Sequence, residues 1–468
     1  MRVRIFGQYV PASLALLALI EAVLAFLALY AAASIRFDIG VGELPALERQ
    51  YGPLWPRGVA FSAIVIGCLL AFGLYNSRQR IQLSGILTRV LVALVVSSCT
   101  TAALFYVVPS LHLGRGVAGL AVLLVLGGVV VSRVIFAHFA DQEIFKRSVL
   151  VYGVGSVAST VARLRRATDH HGFSLAGFVQ PSAEERAVPA ERVLDSEGNL
   201  CALCHRLGIT EVVVAMDDRR RGFPLPELLD CRLAGIEVTE LLTFLERETG
   251  RVRIDVLNPS WLIFGQGFKR DPLRLFSGRA LDVLASCAVL VVGLPAMLLT
   301  MVAIKLEDGW RSPALYSQAR VGLGGKVFKL VKFRSMRLDA EPNGARWAQH
   351  GDPRVTRVGA IIRKLRIDEL PQVVNVLRGD MSFVGPRPER PEFVALLAEK
   401  IPYYAQRHCV KPGITGWAQL CYPYGSSEAD ALQKLQYDLY YIKNNSLLFD
   451  LAILMQTAEV VLFGKGAR

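Results

Sequence analysis

The sequence predicts a membrane protein of mixed α/β class, with a four-helix transmembrane bundle, a Rossmann-like parallel α/β domain and a mainly helical C-terminal domain on a re-entrant membrane helix. Three observations predict this architecture. Four apolar runs of spanning length occupy the first third of the 468 residues, and short β-rich runs alternate with helical ones after them. A fifth apolar run carries basic residues on both sides. With 53% hydrophobic residues, the chain is not soluble throughout.

The first domain, 1–140, contains four apolar runs that each approach the ~20 residues needed to cross a bilayer core. They lie at 11–35, 59–75, 86–108 and 117–139. Arg2 and Arg4 precede the first run, as in a signal peptide, but the run is long and lacks a small-residue cleavage site. We therefore expect it to remain in the mature protein as a transmembrane helix.

Basic residues are unevenly distributed among the loops, which predicts the orientation in the membrane. Basic pairs stand before the first run, between the second and third, and after the fourth: Arg2 and Arg4, Arg78 and Arg80, Lys146 and Arg147. The N-terminus and everything after residue 140 should therefore be cytoplasmic. The net charge of +13 fits contact with anionic lipid headgroups and phosphates, and because no nucleic-acid recognition module is recognisable we expect no nucleic-acid partner.

The second domain, 141–264, alternates β-rich and helical runs, which predicts a Rossmann-like fold with a parallel sheet. Its first turn reads Gly153-Val-Gly155-Ser-Val-Ala158, a pattern in which glycines let a pyrophosphate approach a helix N-terminus. The second strand, however, ends at Gln180 instead of the acidic residue that would hold a ribose. Two interpretations stay open: a dinucleotide site, or glycines that serve only the tight turn.

The fifth apolar run, 281–304, decides where the C-terminal part lies. Basic residues precede and follow it, namely Lys269, Arg270, Arg274 and Arg279, then Lys305, Arg311 and Arg320. Both flanks are therefore typical of the cytoplasmic face. Pro295 lies in the middle of the run, where it removes a backbone hydrogen bond and kinks a helix. We predict a hairpin-like re-entrant helix within a segment 265–304; a straight spanning helix with a tolerated proline is the alternative.

The last domain, 305–468, contains the densest group of charged residues, 363–380. Pro371 and Gly379 should bracket a helix of about two turns, since proline favours the first helical position and glycine the position after the last. Asp368 and Glu369 then lie in the turn that leads into a helix N-terminus, where the helix dipole favours anions. Two adjacent carboxylates there form a plausible Mg²⁺ site. The alternative is an N-cap with surface ion pairs.

A substrate that bears a pyrophosphate also needs cationic ligands. The candidates near the acidic pair are Lys332, Arg334, Arg363, Arg366, Arg378 and Arg387. Arg387 stands between Pro386 and Pro388, a stiff frame that should hold its guanidinium ready for a bidentate phosphate contact.

Six stretches in the C-terminal part form one ordered pattern: 316–322, 332–336, 368–372, 375–377, 379–389 and 412–419. They resemble the bacterial sugar transferases, the polyprenyl-phosphate hexose-1-phosphate transferases. The resemblance covers about 277–468, and four N-terminal spans with a Rossmann-like domain match the larger members of the family. One position departs from the pattern: many relatives have Ser-Pro in the re-entrant helix, whereas this chain has Leu294-Pro295.

The resemblance implies that 305–468 is a monotopic catalytic domain on the re-entrant helix, at the cytoplasmic face. It implies transfer of hexose-1-phosphate from a UDP-sugar to undecaprenyl phosphate in the bacterial inner membrane, with release of UMP, as the first step of exopolysaccharide, O-antigen or capsule synthesis. It implies that Asp368 is the nucleophile and that Glu369 helps Asp368 to hold Mg²⁺. It also places Gln372 and Asn375 among the substrate-binding residues. Direct attack by the lipid phosphate is an alternative to the covalent route.

Two rival functions remain. A membrane-tethered sugar-nucleotide dehydratase or epimerase would need a nicotinamide and a Tyr-x-x-x-Lys pair, and no tyrosine in the sequence is followed by a lysine at that spacing. A non-catalytic scaffold of a polysaccharide assembly would not need the acidic pair, and both acids are present. For the N-terminal and Rossmann-like domains we expect regulation, partner docking or homo-oligomer contacts.

Overall fold

The computed structural model describes residues 2–5, 8–37, 52–75, 83–111, 114–140, 146–164, 172–181, 185–195, 199–218, 222–257, 271–337, 352–422, 425 and 427–463. The chain divides into two compact units, 1–257 and 258–468. The finer division at residues 140, 264 and 304 stays a prediction. At the start of the first unit, β1 (Arg2–Ile5) and β2 (Gln8–Pro11) form an antiparallel ribbon.

Four apolar helices follow, as the sequence predicts: α1 (Ala12–Phe37), α2 (Trp55–Ala71), α3 (Leu83–Val107) and α4 (Arg115–Ala140). The first, third and fourth are long and apolar enough to cross a membrane. Helix α2 is also apolar, but with 17 residues it is too short to count as a candidate membrane span. It begins near Pro56, which suits a first helical turn, and it ends before Gly73, whose φ of 71° leaves the helical region.

A buried polar cluster joins three parts of this bundle. Glu21 on α1 is fully buried, and Arg133 on α4 binds both of its carboxylate oxygens, with Nε to Oε1 at 2.9 Å and Nη2 to Oε2 at 3.0 Å. The hydroxyls of Tyr75, just after α2, and Ser132 also donate to Glu21. A buried charge is costly unless it is paired in this way, so the cluster ties α1, α4 and the end of α2 together.

The rest of the first unit is a five-stranded parallel sheet, which confirms the predicted parallel topology. Its strands are β3 (Arg147–Tyr152), β4 (Phe173–Val179), β5 (Val193–Leu194), β6 (Glu211–Val214) and β7 (Glu237–Glu240). Their spatial order is β5-β4-β3-β6-β7, so the first strand lies at the centre. The accompanying helices are α5 (Ser156–Ala162), α6 (Leu200–Arg206), α7 (Leu225–Leu233) and α8 (Leu241–Thr249).

The second unit begins with α9 (Pro272–Asp308), a helix of 37 residues and about 55 Å at 1.5 Å per residue. It starts nine residues before the predicted apolar run. The cause is local: Pro272 occupies the first turn, and the Asp271 carboxylate accepts a hydrogen bond from the Leu273 N–H at 3.0 Å. Pro295 lies inside one α-helix that continues on both sides of it.

The remaining elements confirm a mainly helical unit. An antiparallel hairpin, β8 (Leu315–Val321) and β9 (Val327–Phe333), is followed by α10 (Arg357–Lys364), a 3-10 turn (Ile367–Gln372) and α11 (Val373–Arg378). Then come β10 (Ser382–Val384), α12 (Pro391–Lys400), a 3-10 turn (Tyr404–Cys409), β11 (Gly413–Thr415), α13 (Trp417–Cys421), α14 (Glu428–Lys443) and α15 (Leu447–Phe463). Ile304, Phe333 and Ile362 form a small core where α9, β9 and α10 meet.

Candidate active site

The acidic pair lies in the 3-10 turn between α10 and α11. The predicted helix from Pro371 to Gly379 is shorter than expected, because Pro371 belongs to the 3-10 turn and α11 begins at Val373. Gly379 ends α11 with a φ of 92°, as predicted. Leu370 is part of the turn although a residue before proline is usually extended. Its side chain packs on α9, where a carbon added at Gly293 would lie 3.6 Å from Leu370 Cδ1.

The two carboxylates have different surroundings. Asp368 is 8% exposed, and in the described part of the chain its carboxylate has no hydrogen-bond partner. Burial, and then the adjacent Glu369, raises the pKa of Asp368 to about 6. Burial alone would also raise the pKa of Glu369, but Arg387 lowers it below its usual value, with Nη2 donating to Oε1 at 2.7 Å. The pair therefore combines a buried, unpaired carboxylate with a paired one.

Lys332 on β9 faces this pair. Burial, and then the nearby Arg320, lowers the pKa of Lys332 to about 8, while Asp368 and Glu369 act in the opposite direction. Its Nζ lies 5.5 Å from the centre of the Tyr316 ring, across the β8–β9 hairpin. The ammonium is thus close enough to both acids to interact with them electrostatically.

Arg387 is held by its main chain as well as by its flanking prolines. Four consecutive carbonyls accept hydrogen bonds from three different elements, namely β11, the 3-10 turn Tyr404–Cys409 and β8. The Pro386 carbonyl accepts from the Gly413 N–H at 2.9 Å, and the Arg387 carbonyl from Arg407 Nη2 at 3.0 Å. The Pro388 carbonyl accepts from Arg320 Nη1 and the Glu389 carbonyl from the Val321 N–H, both at 3.0 Å. The predicted stiff frame around Arg387 is present, and it is more extensive than the two prolines alone would make it.

The other predicted cationic ligands divide into two groups. Arg363 and Arg366 lie close enough to lower the pKa of Asp368, and Arg366 Nη1 is 4.0 Å from Glu369 Oε1. Arg334, in contrast, is buried and pairs with Asp308 Oδ2 at 2.7 Å, so it joins β9 to the end of α9. Arg378 is exposed at the far end of α11.

The two predicted amide ligands also differ. Gln372 is buried at the end of the 3-10 turn that carries the acidic pair. Asn375 is fully buried and its amide is used by β9: its Nδ2 donates to the Lys329 carbonyl at 2.8 Å, and its Oδ1 accepts from the Val331 N–H at 3.0 Å. Asn375 therefore holds the strand that presents Lys332, and its contact with substrate stays a prediction.

Several residues that support the site were not singled out by the sequence. Arg279 on α9 donates to the carbonyls of Val376 and Leu377, both at 2.6 Å, and so caps the end of α11. Asp282, one turn further along α9, accepts from the Phe383 N–H at 2.8 Å. The signal for Asp282 was an acidic residue inside an apolar run. No comparable signal marked Arg407, which lies outside the six motif stretches.

The carboxyl pair fits a magnesium ion only in part. The described residues contain no group of three or more His, Cys, Asp or Glu side chains that could hold a metal. Asp368 and Glu369 supply two carboxylates, and Mg²⁺ is usually held by one or two carboxylates together with substrate phosphates and water. The donor set therefore suits Mg²⁺ that arrives with, or is completed by, a phosphate-bearing substrate.

The glycine-rich turn of the first unit is already occupied by an internal anion. The Asp217 carboxylate accepts from the Ser156 N–H at 2.9 Å and from the Val157 N–H at 2.8 Å, the groups that a pyrophosphate would use. A side-chain carbon at Gly155 would lie 2.5 Å from this carboxylate. The glycine therefore permits the approach of Asp217, which favours the interpretation without a dinucleotide.

Comparison with known proteins places the site in a family. Residues 273–464 match the family model described as bacterial sugar transferase. Over 241 residues the chain is 46% identical to a UDP-N-acetylgalactosamine-undecaprenyl-phosphate N-acetylgalactosaminephosphotransferase of Aeromonas hydrophila, which covers 52% of this chain and 56% of that protein. Over 208 residues it is 43% identical to an undecaprenyl-phosphate glucose phosphotransferase of Komagataeibacter xylinus, covering 42% of this chain and 39% of that protein.

A third relative is matched over most of its length. The UDP-glucose:undecaprenyl-phosphate glucose-1-phosphate transferase of Caulobacter vibrioides is 44% identical over 186 residues, which are 39% of this chain and 69% of that protein. The chain thus spans about half or less of the first two relatives and about two thirds of this one. The region that matches the family model, 273–464, contains the whole candidate site. The chain belongs to the bacterial sugar transferase family.

Proposed function

We propose that the chain transfers hexose-1-phosphate from a UDP-sugar to undecaprenyl phosphate and releases UMP. The observation that carries this proposal is the buried, unpaired Asp368 carboxylate beside Glu369, with Lys332, Arg366 and Arg387 around the pair. All five residues lie within 273–464, the stretch that matches the bacterial sugar transferase model, and the names of similar proteins state this class of reaction. The product would begin an exopolysaccharide, O-antigen or capsule chain.

The reaction proceeds in two displacements. A carboxylate oxygen of Asp368 attacks the phosphorus that is bonded to the sugar, and the bond from this phosphorus to the UMP oxygen breaks. A phosphate oxygen of the lipid then attacks the same phosphorus, and the bond to Asp368 breaks, which restores the free carboxylate. Because no described residue donates a hydrogen bond to the Asp368 carboxylate, no such contact among the described residues has to be lost before attack. Lys332 and Arg387 neutralise the charge that develops on the phosphoryl oxygens.

We assign the metal to the same pair. Asp368 and Glu369 would hold Mg²⁺, which supplies positive charge to the pyrophosphate when it is bound. Arg387 keeps Glu369 ionised and fixed in direction through its 2.7 Å contact. Glu369 is therefore available as an anionic ligand at neutral pH.

We further propose that α9 enters and leaves the membrane by the cytoplasmic face of the inner membrane. Its start and its end both bind the segment that carries the acidic pair. Arg279 caps α11, while the Glu307 carboxylate accepts from the Arg357 N–H at 2.8 Å and the Val358 N–H at 3.1 Å, at the start of α10. If α9 crossed the membrane straight, its two ends would lie on opposite faces, and the charged segment of α10 and α11 that binds both ends would have to lie in the hydrocarbon, which is costly.

Cysteine labelling tests this topology. In a background without the eight native cysteines, Lys146→Cys and Lys326→Cys should both resist a membrane-impermeant maleimide in spheroplasts and both react after permeabilisation. The two positions lie before and after α9. Reaction of Lys326→Cys in intact spheroplasts would rule out the re-entrant course. An Arg49→Cys variant, in the loop predicted to be periplasmic, gives the positive control.

The pH dependence follows from Lys332. Because its pKa is lowered to about 8, the ammonium is charged at pH 7 and loses its proton as the pH rises through about 8. We expect kcat/KM to fall on the order of tenfold between pH 7.5 and pH 9.5. In the Lys332→Arg variant the guanidinium stays charged in this range, so the decrease in kcat/KM should occur at higher pH. The same decrease at the same pH in both proteins would contradict its assignment to Lys332.

The decisive measurement is UMP release. Purified full-length protein is incubated with Mg²⁺, undecaprenyl phosphate and a panel of UDP-sugars, and each reaction is repeated without the lipid. We expect UMP and a lipid-diphosphate-sugar to form in equal amounts from at least one sugar. No UMP from any sugar would refute the proposed reaction. A nicotinamide-dependent change in the sugar, with no lipid product, would instead favour a dehydratase or epimerase.

For the parallel sheet of the first unit we propose a Rossmann-like module that does not bind a dinucleotide. The central position of β3 and the Asp217 contacts at the first turn support this. We assign to the module, and to the helical bundle before it, a part in regulation or homo-oligomer contacts.

A further inference from the structure

We infer that Arg407 and Asp438 are positioning residues that orient Arg387 toward Glu369. The inference rests on the proposed function. Neither side chain contacts the acidic pair, and both lie outside the residues predicted from the sequence. They act on the site through the main chain of Arg387.

Arg407 is buried and contacts both Arg387 and Tyr404. Its side chain is 6% exposed. Nη2 donates to the Arg387 carbonyl at 3.0 Å, and Nη1 donates to the Tyr404 hydroxyl at 2.6 Å. The guanidinium carbon also lies 5.1 Å from the centre of the Tyr404 ring. A planar guanidinium held in this way has one orientation, so the carbonyl of Arg387 is held in one place.

Asp438 on α14 contacts Nη2 of Arg407, the nitrogen that also donates to the Arg387 carbonyl. Its side chain is 3% exposed, and its Oδ2 lies 2.9 Å from Arg407 Nη2. A buried guanidinium requires a counterion, and removing either partner leaves an unpaired charge. The pair therefore connects α14 to the Pro386-Arg387-Pro388 segment through charged contacts that do not reach solvent.

The consequence for the site is a short chain of contacts: Asp438 to Arg407, Arg407 to the Arg387 carbonyl, and Arg387 Nη2 to Glu369 Oε1 at 2.7 Å. Prolines on both sides limit the rotation of the Arg387 backbone. A fixed carbonyl therefore sets the direction from which the guanidinium reaches Glu369. Displacement of such a group by about 1 Å is enough to cost up to about 10²-fold in rate.

A double-mutant cycle tests the inference. Arg407→Lys and Asp438→Asn are each made in the wild-type protein and in an Arg387→Ala background. We expect each single variant to lower kcat by about tenfold or more with little change in the KM for the UDP-sugar. In the Arg387→Ala background the same changes should have no further effect on kcat, because their target has been removed. If each change lowered kcat by the same factor in the Arg387→Ala background as in the wild-type protein, the inference would be overturned.

Hydrogen exchange provides a readout that does not depend on activity. We expect amides in 385–389 and 367–372 to exchange several-fold faster in Arg407→Lys and in the milder Asp438→Asn, which keeps an acceptor oxygen. The matched control is Arg253→Lys, whose guanidinium pairs with Asp255 in the other unit and should leave both segments unchanged. Unchanged exchange in both segments in folded Asp438→Asn protein would overturn the inference. If the wild type releases no UMP, the proposed function fails, while the exchange experiment still decides the positioning role.

Discussion

Asp368→Asn is expected to lower kcat by at least about 10³-fold, because the amide cannot form the phosphosugar bond on which the two-step route depends. The substitution should leave folding intact. Burial disfavours the ionised carboxylate and raises the pKa of Asp368 to about 6, so at pH 8 the neutral amide removes a desolvation cost. UMP release and thermal unfolding are measured on the same preparations.

A trapping experiment separates this mechanism from direct attack. When a UDP-sugar labelled in the sugar-bound phosphate is supplied without lipid, the wild type should retain label in acid-quenched protein, and Asp368→Asn should retain none. Glu428→Gln, on an exposed ion pair with Lys400, serves as the control for removal of one carboxylate and should retain label like the wild type. Turnover without retained label in the wild type would favour direct attack by the lipid phosphate.

Arg387→Ala is expected to lower kcat by about 10²-fold to 10³-fold, the range for loss of one preorganised charged donor. The change removes a positive charge beside the transition state and leaves the half-buried Glu369 beside fewer cations. Arg387→Lys should recover only part of the rate, since an ammonium cannot reproduce the planar, bidentate guanidinium. The rates are measured at saturating UDP-sugar.

A control of equal charge accompanies this variant. Lys400→Ala also removes one positive charge from the same unit, but Lys400 pairs only with the exposed Glu428 in the part of the unit that the structure describes. Its rate should stay within about twofold of the wild type, as expected for an exposed ion pair. Equal losses in Lys400→Ala and Arg387→Ala would mean that net charge, and not the position of Arg387, governs the rate.

Elements that depend on local pattern were predicted well. The four N-terminal apolar helices and the parallel sheet appear where hydrophobic runs and β-rich runs indicated them. Gly379 ends α11 because a positive φ suits glycine, which is a property of a single residue. The ordered motifs around Asp368 and Arg387 identified the family that the comparison confirms.

Contacts between residues far apart in the chain were not predicted from the sequence. Arg334 pairs with Asp308, 26 residues earlier, and its predicted contact with phosphate stays a prediction. Asn375 binds the backbone of β9, more than 40 residues earlier. Pro371 was expected at the first position of a helix, yet it lies inside a 3-10 turn whose Leu370 side chain is close to Gly293 on α9. In each case the partner is remote in sequence, and the residue type alone cannot reveal it.

By itself, the sequence determined that this chain has apolar helices of spanning length, a parallel sheet and an Asp368–Glu369 pair within a family pattern. These features follow from periodicity, composition and residue order, which are local. Only the tertiary structure decided which of the two carboxylates pairs with a described cation and which cations lie near them. It also decided that Arg407, paired with Asp438, binds the Arg387 carbonyl. Burial and ion pairing set these properties, and both arise only when segments far apart in the chain are brought into contact.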